Sequence, residues 1–451
     1  MRGCWGVLLV IATVTAISAA RMPATSGGAW TAAKAPLPAN ADHTYAELSS
    51  VACASSACVA VGSYTGSAGS RGLLLTRLSG RTGWKAAEAP VPRGAAANPF
   101  ATLSSVACGS ATSCVALGTY KLPSGHQEQT LLTELKSSWA AAKPPFPPGA
   151  MPSTVIINAV ACAPGGSCIA VGAYEDKTHN PQGLVLTQSG RSWKAAKAPA
   201  PAGAQANSGP ALTDVTCPAT GSCVATGTYY GSRSTRQGMV LTEAGSGWTA
   251  TASRDHELTM GPAACISASR CVATAWILNG GLPFAAYLMH GSGTSWRTTK
   301  SPLPRQAPKS AAYPQPSSIA CGPSACTVVG RFDGGTGGLL VTGSGSSWKA
   351  TEAPVPGNAA DGSAILTQVA CPSAKACLVA GTYVEASHVV RGLLLSGTGS
   401  SWKAMAAPLA PNGTIAQPVA IACASISTCF GVSSYPDKSG SISALIIRGS
   451  S

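Results

Sequence analysis

One stretch of sequence recurs through the chain, and each copy reads as two short β-strands joined by a turn with a cysteine on either side. The first complete copy runs from Ser50 to Tyr64 (SVACASSACVAVGSY). Further copies begin near Val106, Val160, Val215, Ala264, Ala320, Ala370 and Ala422. This repeat restricts the fold more than the length of 451 residues does, because each copy is one structural unit that must stack on its neighbours.

Each repeat contains four segments typical of β-strands and none with helical periodicity. The two strands of the cysteine hairpin are followed by a variable loop and an apolar strand, such as Leu184–Thr187. A turn of small residues then leads to a tryptophan segment, such as Trp193–Pro199, whose proline suits an edge strand. The tryptophans that open these segments lie 48 to 55 residues apart: Trp30, Trp84, Trp139, Trp193, Trp248, Trp296, Trp348 and Trp402.

A period of about 54 residues with four strands per repeat predicts an all-β fold, an eight-bladed β-propeller of four-stranded blades. The chain begins with a tryptophan strand, Trp30 to Pro36, and ends on an apolar strand, Ala444 to Ile447, that no tryptophan segment follows. We therefore expect the N-terminal tryptophan strand to complete the last blade, which closes the ring and removes its free edges. Because no linker interrupts the period, residues 21–451 are predicted to form one domain.

Residues 1–20 have the pattern of a signal peptide. Arg2 supplies the positive start, Val7 to Ile17 form an apolar run, and small residues precede Arg21. The run is short for a membrane span, which favours cleavage over anchoring, and nothing resembling a transmembrane segment follows it. We therefore expect a secreted or cell-envelope protein whose mature chain has no transmembrane segment.

Sixteen of the 17 cysteines fall into eight close pairs with four or five residues between the partners. Zinc is the competing interpretation, but zinc ligand pairs usually have two to four residues between them and a second pair nearby. Two antiparallel strands would bring these cysteines within disulfide reach, and export favours their oxidation. We predict no metal site and eight local disulfides: Cys53–Cys58, Cys108–Cys114, Cys162–Cys168, Cys217–Cys223, Cys265–Cys271, Cys321–Cys326, Cys371–Cys377 and Cys423–Cys429.

The turn before the tryptophan resembles a known structural motif. The segment Thr187-Gln188-Ser189-Gly190-Arg191-Ser192-Trp193 is similar to a degenerate Asp-box (BNR) turn, with serine or glycine in place of the box aspartate. The second strand ends in Val171-Gly172, which resembles the blades of sialidase-like and photosystem II stability-factor-like propellers. The resemblance covers residues 21–451 and implies a propeller fold. In that family the box is a folding element away from the active site, so the resemblance implies no catalytic role for this turn.

The chain carries 30 basic and 16 acidic residues, and its formal net charge of +14 favours anionic partners. Connections in a propeller alternate between its two faces, so the cysteine turns and the tryptophan turns share one face. The other face receives the connections after each second strand and each tryptophan segment, which are long and differ between repeats. We expect binding there, through Arg71, Lys121, His126, His179, Arg233, Arg236, Arg254, His256, His388 and Arg391.

Aromatic residues recur just after the second strand: Tyr64, Tyr120, Tyr174, Tyr229, Phe332, Tyr383 and Tyr435. Such a ring can stack on sugars, but we expect each to pack between blades with its hydroxyl at the solvent. Basic residues also follow several tryptophans, and we expect them to solvate the outer strand and discourage edge pairing. These are Lys85, Lys194, Arg297, Lys349 and Lys403.

These features favour an exported, non-enzymatic binding or scaffold protein that recognises an anionic glycan, a cell-envelope polymer or an envelope protein through its loop face. The sequence has no phosphate-binding glycine loop with lysine, HExxH motif, nucleophile elbow, EF-hand loop or nucleic-acid-binding module. We therefore predict no cofactor, no nucleic-acid partner and a monomer. The alternative is a sialidase-like or lyase-like glycan-processing enzyme, with Asp255, His256 and Glu257 of the irregular fifth repeat as its acid–base groups.

Overall fold

The computed structural model describes residues 30–67, 69–205, 209–231, 235–245, 247–253, 258–279, 282–305, 307, 314–332, 337–413 and 415–450. The predicted signal peptide, residues 1–20, lies outside these ranges. Within them the chain is all-β, with a single short 3-10 turn, η1 (Pro152–Thr154), and no α-helix. The described part of the chain accordingly has no helix of the length and hydropathy needed to cross a membrane.

The described residues form thirty-two β-strands. In chain order they are β1 (Thr31–Lys34), β2 (Ala41–Ala54), β3 (Ala57–Gly66), β4 (Gly69–Arg77), β5 (Lys85–Glu88), β6 (Thr102–Ser110), β7 (Ser113–Lys121), β8 (Gln127–Leu135), β9 (Ser138–Ala142), β10 (Ile156–Cys162), β11 (Cys168–Glu175), β12 (Pro181–Ser189), β13 (Ser192–Lys197), β14 (Ala211–Thr216), β15 (Val224–Tyr230), β16 (Arg236–Ala244), β17 (Gly247–Ala252), β18 (Leu258–Ser267), β19 (Arg270–Asn279), β20 (Leu282–Ser292), β21 (Ser295–Lys300), β22 (Gln315–Cys321), β23 (Cys326–Phe332), β24 (Gly337–Ser344), β25 (Ser347–Glu352), β26 (Ala359–Ser373), β27 (Ala376–Glu385), β28 (Val390–Thr398), β29 (Ser401–Ala406), β30 (Ala420–Ser425), β31 (Thr428–Pro436) and β32 (Ile442–Gly449).

The strands pair antiparallel in groups of four that are consecutive in sequence. We call these groups units 1 to 7: β2–β5, β6–β9, β10–β13, β14–β17, β18–β21, β22–β25 and β26–β29. Unit 8 consists of β30, β31, β32 and β1, since Thr31 to Lys34 pair with Arg448 to Leu445. Single bridges link unit 8 to unit 1 and unit 6 to unit 7. The predicted pairing of the N-terminal tryptophan strand with the last apolar strand is therefore confirmed.

The units follow one another around a central cavity. The first strand of each unit contacts the first strand of the next, and β30 of unit 8 contacts β2 of unit 1. These first strands line a cavity of about 660 Å³. The four-stranded units are thus arranged like blades, with the fourth strand of each unit, which we call the outer strand, farthest from the cavity.

The second and third strands are buried on both faces because a neighbouring unit packs on each side. Leu74 of unit 1 packs with Leu103 and Leu132 of unit 2. The adjacent Leu75 faces the other way and packs with Phe430 of unit 8. Strands covered on both faces have continuous apolar runs rather than an alternating pattern, which explains the Leu-Leu-Leu segments of the sequence.

A β-bulge recurs in the first strands and explains the Val-Gly ending of the second strands. In unit 3 the pairing shifts between Ile157 and Ala159, so Asn158 has no partner opposite it. The bulge brings the carbonyl oxygen of Ile156 against Gly172 of the second strand, where any Cβ atom would overlap it. Only glycine fits a backbone approach of this kind.

All eight predicted disulfides are present, and each joins the end of a first strand, or the residue directly after it, to the start of the second strand, or the residue directly before it, on one face of the molecule. We call this the disulfide face. Their formation excludes the zinc interpretation of these cysteines, and the described residues contain no group of three or more potential metal ligands. Eight disulfides indicate an extracellular or otherwise oxidising environment.

The turns before the tryptophans also lie on the disulfide face, and the indole ring stabilises them. Trp296, Trp348 and Trp402 each donate their Nε1–H to the carbonyl oxygen of the glycine three residues earlier, at 2.8 to 3.0 Å. These glycines have φ values of 53 to 61°, in the left-handed region that favours glycine. The tryptophan and the glycine therefore stabilise the turn structurally. The resemblance of this turn to the Asp-box stays a prediction.

Candidate functional site

The face opposite the disulfides carries the connections between second and third strands and those between units, and we call it the long-loop face. Four of the connections within units form the same five-residue turn: 122–126, 176–180, 385–389 and 437–441. In each turn, the backbone N–H of the first residue donates to the carbonyl oxygen of the fifth residue, and the N–H of the fourth residue donates to the carbonyl oxygen of the first. The sequences of these four loops differ between repeats, as expected, but their backbone does not, because the same two backbone hydrogen bonds form in each.

Two of the predicted histidines occupy a special position of this turn. The fourth residue of the turn adopts the left-handed backbone conformation. Gly125 and Gly440 have φ values of 85° and 82°, and His179 and His388 have φ values of 61° and 62°. Histidine is one of the residues that tolerates this region better than most. Both side chains are exposed at the tips of equivalent turns, and His126, the last residue of its turn, is also exposed.

Two of the predicted arginines of the long-loop face, Arg71 and Arg391, already have acidic partners. Arg71 Nε lies 3.7 Å from Glu88 Oε1, and Arg391 Nε lies 3.1 Å from Glu385 Oε2. These carboxylates neutralise part of the positive charge that the sequence places on this face. The two arginines therefore hold connections of their own units together as well as facing solvent.

Other predicted residues of this face are held by local contacts. The Lys121 ammonium lies 4.3 Å from the centre of the Phe100 ring, a cation–π contact. Arg236 Nε donates to Thr228 Oγ1 at 3.3 Å. Three predicted ligand-binding residues, Arg233, Arg254 and His256, lie outside the described residues, and so do all three predicted acid–base residues, Asp255, His256 and Glu257.

The structure brings Arg71 and Lys121 to one connection, the segment between units 1 and 2. Arg71 Nη2 donates to the carbonyl oxygen of Ala97 at 3.3 Å. The Lys121 backbone N–H bonds to the carbonyl oxygen of Pro99 at 2.6 Å. The described histidines His126, His179 and His388 belong to units 2, 3 and 7 and are not gathered into one cluster.

The recurring tyrosines pack between units, as the sequence predicts, and are at most 4% exposed. The expectation that their hydroxyls meet solvent is wrong for several of them. Tyr64 donates to Asn40 Oδ1 at 2.9 Å, and Tyr120 donates to Glu128 Oε2 at 2.8 Å. Burial, with a smaller effect of Glu88, raises the pKa of Tyr64 to about 12. Rings buried in this way offer no surface on which a sugar can stack.

A groove of about 400 Å³ opens on the long-loop face between units 2 and 3. One wall is the end of the β7–β8 hairpin, and the other is the connection from β9 to β10. We call it the unit 2–3 groove. Its lining residues are Thr119, Gln127, Glu128, Gln129, Lys143, Pro144, Phe146, Pro152, Ser153, Val155 and Ile156.

One side of the unit 2–3 groove is apolar although it faces solvent. Phe146 is 46% exposed and Ile156 is 52% exposed. Phe146 stands within Pro144–Pro148, where four prolines restrict the backbone and keep the ring out of the core. Exposed apolar groups next to a few polar groups are typical of ligand sites.

The other side of the groove is polar and carries an ion pair. Lys143 Nζ lies 2.7 Å from Glu128 Oε2, which also accepts the hydroxyl of Tyr120. Lys143, followed by Tyr120, lowers the pKa of the Glu128 carboxyl, which therefore stays ionised at neutral pH. Gln127 Nε2 donates to Thr119 Oγ1 at 2.7 Å, so its amide oxygen can accept a hydrogen bond from a ligand.

None of the groove residues is among the candidates drawn from the sequence. The Pro144–Pro148 segment is the sequence feature that could have predicted the groove. It places an aromatic residue among prolines in a connection between two strands, where the ring has no apolar neighbours in sequence and is expected to be exposed. The pairing of Glu128 with Lys143 follows from the register of β8 and β9, which the sequence does not give.

The polar groups that face the central cavity join neighbouring units. Asp214 Oδ2 accepts the backbone N–H of Ala263 in the next unit at 2.8 Å. At the equivalent place in their units, Ser50, Ser318 and Gln368 bind the next unit in the same way. Burial raises the pKa of Asp214 to about 6. These groups serve the assembly of the ring, so the long-loop face offers the better candidate site.

A scan against protein-family models finds no match, and a search of curated proteins finds none either. Among solved structures, the chain is similar to the lectin BP39L from Burkholderia pseudomallei, with 12% identity, a TM-score of 0.42 and coverage of 81% of this chain and 99% of the lectin. A Hadza microbial sialidase is similar at 12% identity and a TM-score of 0.39, over 74% of this chain and 73% of the sialidase. Trypanosoma rangeli sialidase is similar at 7% identity and a TM-score of 0.40, over 93% of this chain and 59% of that enzyme. The structural neighbours thus include sialidases and a lectin, and likenesses of this size do not decide what this chain binds.

Proposed function

We propose that the chain is an exported, non-enzymatic glycan-binding protein, folded as an eight-bladed propeller, that holds a sugar in the unit 2–3 groove. Residues 1–20 direct its export, and residues 21–451 form the single propeller domain. It works as a monomer outside the cytoplasm or in the cell envelope.

The eight-bladed fold is supported by the pairing of strands four by four and by the contacts between successive first strands. The pairing of β1 with β32 supplies the outer strand of unit 8 from the opposite end of the chain. Closure of this kind leaves no unit without its fourth strand. Export is supported by the eight disulfides, which persist in an oxidising compartment.

The observation that carries the binding proposal is the exposed Phe146 ring in a groove with the Glu128–Lys143 pair. A sugar has an apolar face of C–H groups and an edge of hydroxyl groups. The C–H face packs on an exposed aromatic ring, while hydroxyls donate to the Glu128 carboxylate and accept from Lys143. The amides of Gln127 and Gln129 add groups that both donate and accept, which suits a ring of hydroxyls.

The groove is suited to binding rather than to cleavage. Most glycoside hydrolases use two carboxyl groups about 5 to 9.5 Å apart, one of them protonated to act as a general acid. Glu128 is the only acidic residue in the lining of the groove, and its lowered pKa keeps it ionised. The acid–base set of the enzymatic alternative, Asp255 to Glu257, lies outside the described residues.

The ligand of this groove is a neutral sugar. The prediction of an anionic ligand on the long-loop face rests on basic residues of which Arg71 and Arg391 are already paired with carboxylates. In the groove itself Lys143 is paired with Glu128, so no cation there lacks a counter-charge among the described residues. A neutral sugar uses the pair as donor and acceptor without separating it.

The test is binding of the secreted, disulfide-bonded protein to an array of neutral and acidic glycans. The variant Phe146→Ala removes the apolar wall, and Phe100→Ala is its matched control, because Phe100 is 45% exposed on the same face outside the groove. We expect Phe146→Ala to weaken binding of a neutral glycan roughly tenfold, the value of one aromatic contact of about 1.5 kcal/mol. The Phe100→Ala variant should bind as the parent does.

Equal binding by both variants would contradict the proposal, and so would the absence of any neutral glycan among the ligands. Turnover of a glycan in the same samples would overturn the non-enzymatic part. The variant Glu128→Gln then separates the two functions, because it replaces the carboxylate of the groove by a neutral amide and leaves the acidic residues of the fifth repeat in place.

A further inference from the structure

The outer strands carry a regular pattern of exposed positive charge. Five of them have a basic residue directly after the tryptophan, at the same register position against the third strand. These five are Lys85, Lys194, Arg297, Lys349 and Lys403. Three outer strands also end in a basic residue: Lys34, Lys197 and Lys300. All eight side chains are exposed, and we call them the perimeter cations.

The perimeter cations have few acidic neighbours, although hydrogen bonds and, to a smaller extent, the charge of Lys34 lower the pKa of Asp437. The outer strands contain two acidic residues, Glu88 and Glu352, and Glu88 faces Arg71. Among the described residues none of the perimeter cations forms an ion pair, whereas Lys143 and Arg391 of the long-loop face do. The perimeter therefore carries a regular row of positive charges that form no ion pair among the described residues, and such a row attracts anions.

A cleft of about 700 Å³ opens on this perimeter between units 4 and 5, and Arg297 lines it. Thr251 of β17 lies on one side, and residues 294–298 lie on the other. Thr251 Oγ1 is buried and has no hydrogen-bond partner among the described residues. A buried hydroxyl without a partner is unfavourable, and rotation of the Thr251 side chain toward a ligand in the cleft would give it one.

The chemistry of the cleft fits a sugar that carries an acid group. The Arg297 guanidinium lines the cleft, and a guanidinium can bind a carboxylate with two parallel hydrogen bonds. The hydroxyls of Thr251, Thr294 and Ser295 both donate and accept, as sugar hydroxyls do. Phosphate oxygens at neutral pH mainly accept hydrogen bonds. A polyphosphate would therefore pair with the cation and accept from these hydroxyls, but it would donate no hydrogen bonds to them.

We propose that the perimeter binds an acidic polysaccharide, with one carboxylate-bearing sugar in the Arg297 cleft and the rest of the polymer along neighbouring outer strands. Units 5, 6, 7, 8 and 1 are consecutive around the ring, and each carries a perimeter cation. The outer strands of units 2 and 4 carry none. This surface lies on the rim of the molecule, apart from the unit 2–3 groove, so one molecule can hold the polymer and a neutral glycan at once.

The experiment measures affinity for polygalacturonate, a carboxylated polysaccharide, at low and at high salt, with dextran as the neutral polymer. The perimeter variant is Arg297→Gln/Lys300→Gln/Lys349→Gln. The matched control is Lys121→Gln/Lys177→Gln/Lys438→Gln, which removes the same charge from the long-loop face. We expect the perimeter variant to lose roughly tenfold or more in affinity at low salt, since it removes three cations that attract the polymer, and binding to fade as salt rises.

Equal losses in the two triple variants would overturn the proposal, because they would show attraction by net charge alone. Retention of dextran as strong as that of polygalacturonate would also overturn it. The variant Phe146→Ala should bind polygalacturonate as the parent does, so failure of the groove proposal and failure of this one are distinguishable.

Thr251→Val provides a test that charge does not influence. This substitution keeps the shape of the side chain and removes the hydroxyl. We expect it to weaken polygalacturonate binding several-fold while leaving the weaker binding of polyphosphate unchanged, with the melting temperature as the check on folding. If polyphosphate bound as tightly as polygalacturonate, and equally to the parent and to Thr251→Val, the perimeter would be a surface that binds any polyanion. That result would overturn the assignment to an acidic sugar.

Discussion

Glu134 lies directly opposite Trp139 on adjacent strands of unit 2, and Glu134 Oε2 and Trp139 Nε1 are both buried without a hydrogen-bond partner among the described residues. Burial raises the pKa of the Glu134 carboxyl from 4.5 to about 7. The folded state therefore binds this proton more tightly than the unfolded state does. The resulting stability is fully present below pH 4.5 and is lost as the pH rises through about 7.

The corresponding prediction is that Glu134→Gln stabilises the protein at pH 8 and flattens the dependence of its stability on pH. Gln188 already occupies the equivalent place opposite Trp193 in unit 3, so the fold accepts glutamine there. The gain at pH 8 is at most about 3 kcal/mol, at about 1.4 kcal/mol for each unit of pKa. Melting temperatures measured from pH 5 to pH 8 check it, with Glu352→Gln on an exposed outer strand as the control. Parallel curves for Glu134→Gln and the parent would contradict the assignment.

The disulfides stabilise hairpins within units, so removal of one should lower stability without loss of the fold. The Cys53–Cys58 bridge closes a loop between β2 and β3 that are already paired on both sides of it. The double variant Cys53→Ala/Cys58→Ala should lose about 2 kcal/mol in the chain-entropy treatment of so short a loop. Urea unfolding under non-reducing conditions measures this loss. A variant that is secreted only as an unfolded chain would show that the bridge is needed for folding itself.

The architecture could be read from the sequence because its determinants repeat. The spacing of cysteine pairs and tryptophans gave the strand order within each unit, and the unmatched Trp30 segment predicted the pairing of β1 with β32. The glycine at position 172 was visible as a pattern, but its cause, the Ile156 carbonyl at a bulge, depends on a register shift that no local propensity indicates.

The candidate site was harder to predict, because it forms where non-repeating segments of two units meet. Charged residues in loops such as Arg71 and Arg391 were visible, but their acidic partners were not. The groove depends on where Phe146 lies relative to Glu128, which the packing of unit 2 against unit 3 determines. Sequence periodicity describes what the units share, whereas binding depends on what differs between them.

Binding in the unit 2–3 groove should be insensitive to pH over the neutral range. Lys143 and Tyr120 lower the pKa of Glu128, so its carboxylate is present at neutral pH and is lost only as the pH falls through that lowered value. The variant Lys143→Gln removes the main cause of the shift, so affinity should begin to fall at a higher pH than in the parent. Titration of neutral-glycan binding from pH 8 downwards measures both curves. Curves that coincide would mean that the ligand does not contact Glu128.

Gly172 should be among the least replaceable residues of the fold. A Cβ atom there would overlap the carbonyl oxygen of Ile156, which is backbone held at a bulge and cannot rotate away. Gly172→Ala should therefore destabilise unit 3 by about 2 kcal/mol, as overpacked core sites do. Gly357→Ala is the matched control, since nothing lies within 4 Å of the Cβ position there. Unfolding by urea compares the two variants.

Unit 5 shows how the fold can accommodate a methyl group at this place. Its equivalent residue is Ala275, and there the pairing of the first strand is shifted over a longer stretch, between Met260 and Ala263. The bulge of unit 5 has therefore been rearranged together with the side chain. If Gly172→Ala proved as stable as the parent, the bulge of unit 3 would have to adopt the unit 5 arrangement. In that case hydrogen exchange at Asn158 and Ala159 would change between the two proteins, whereas unchanged exchange together with unchanged stability would show that the close approach of Ile156 to Gly172 does not restrict the sequence.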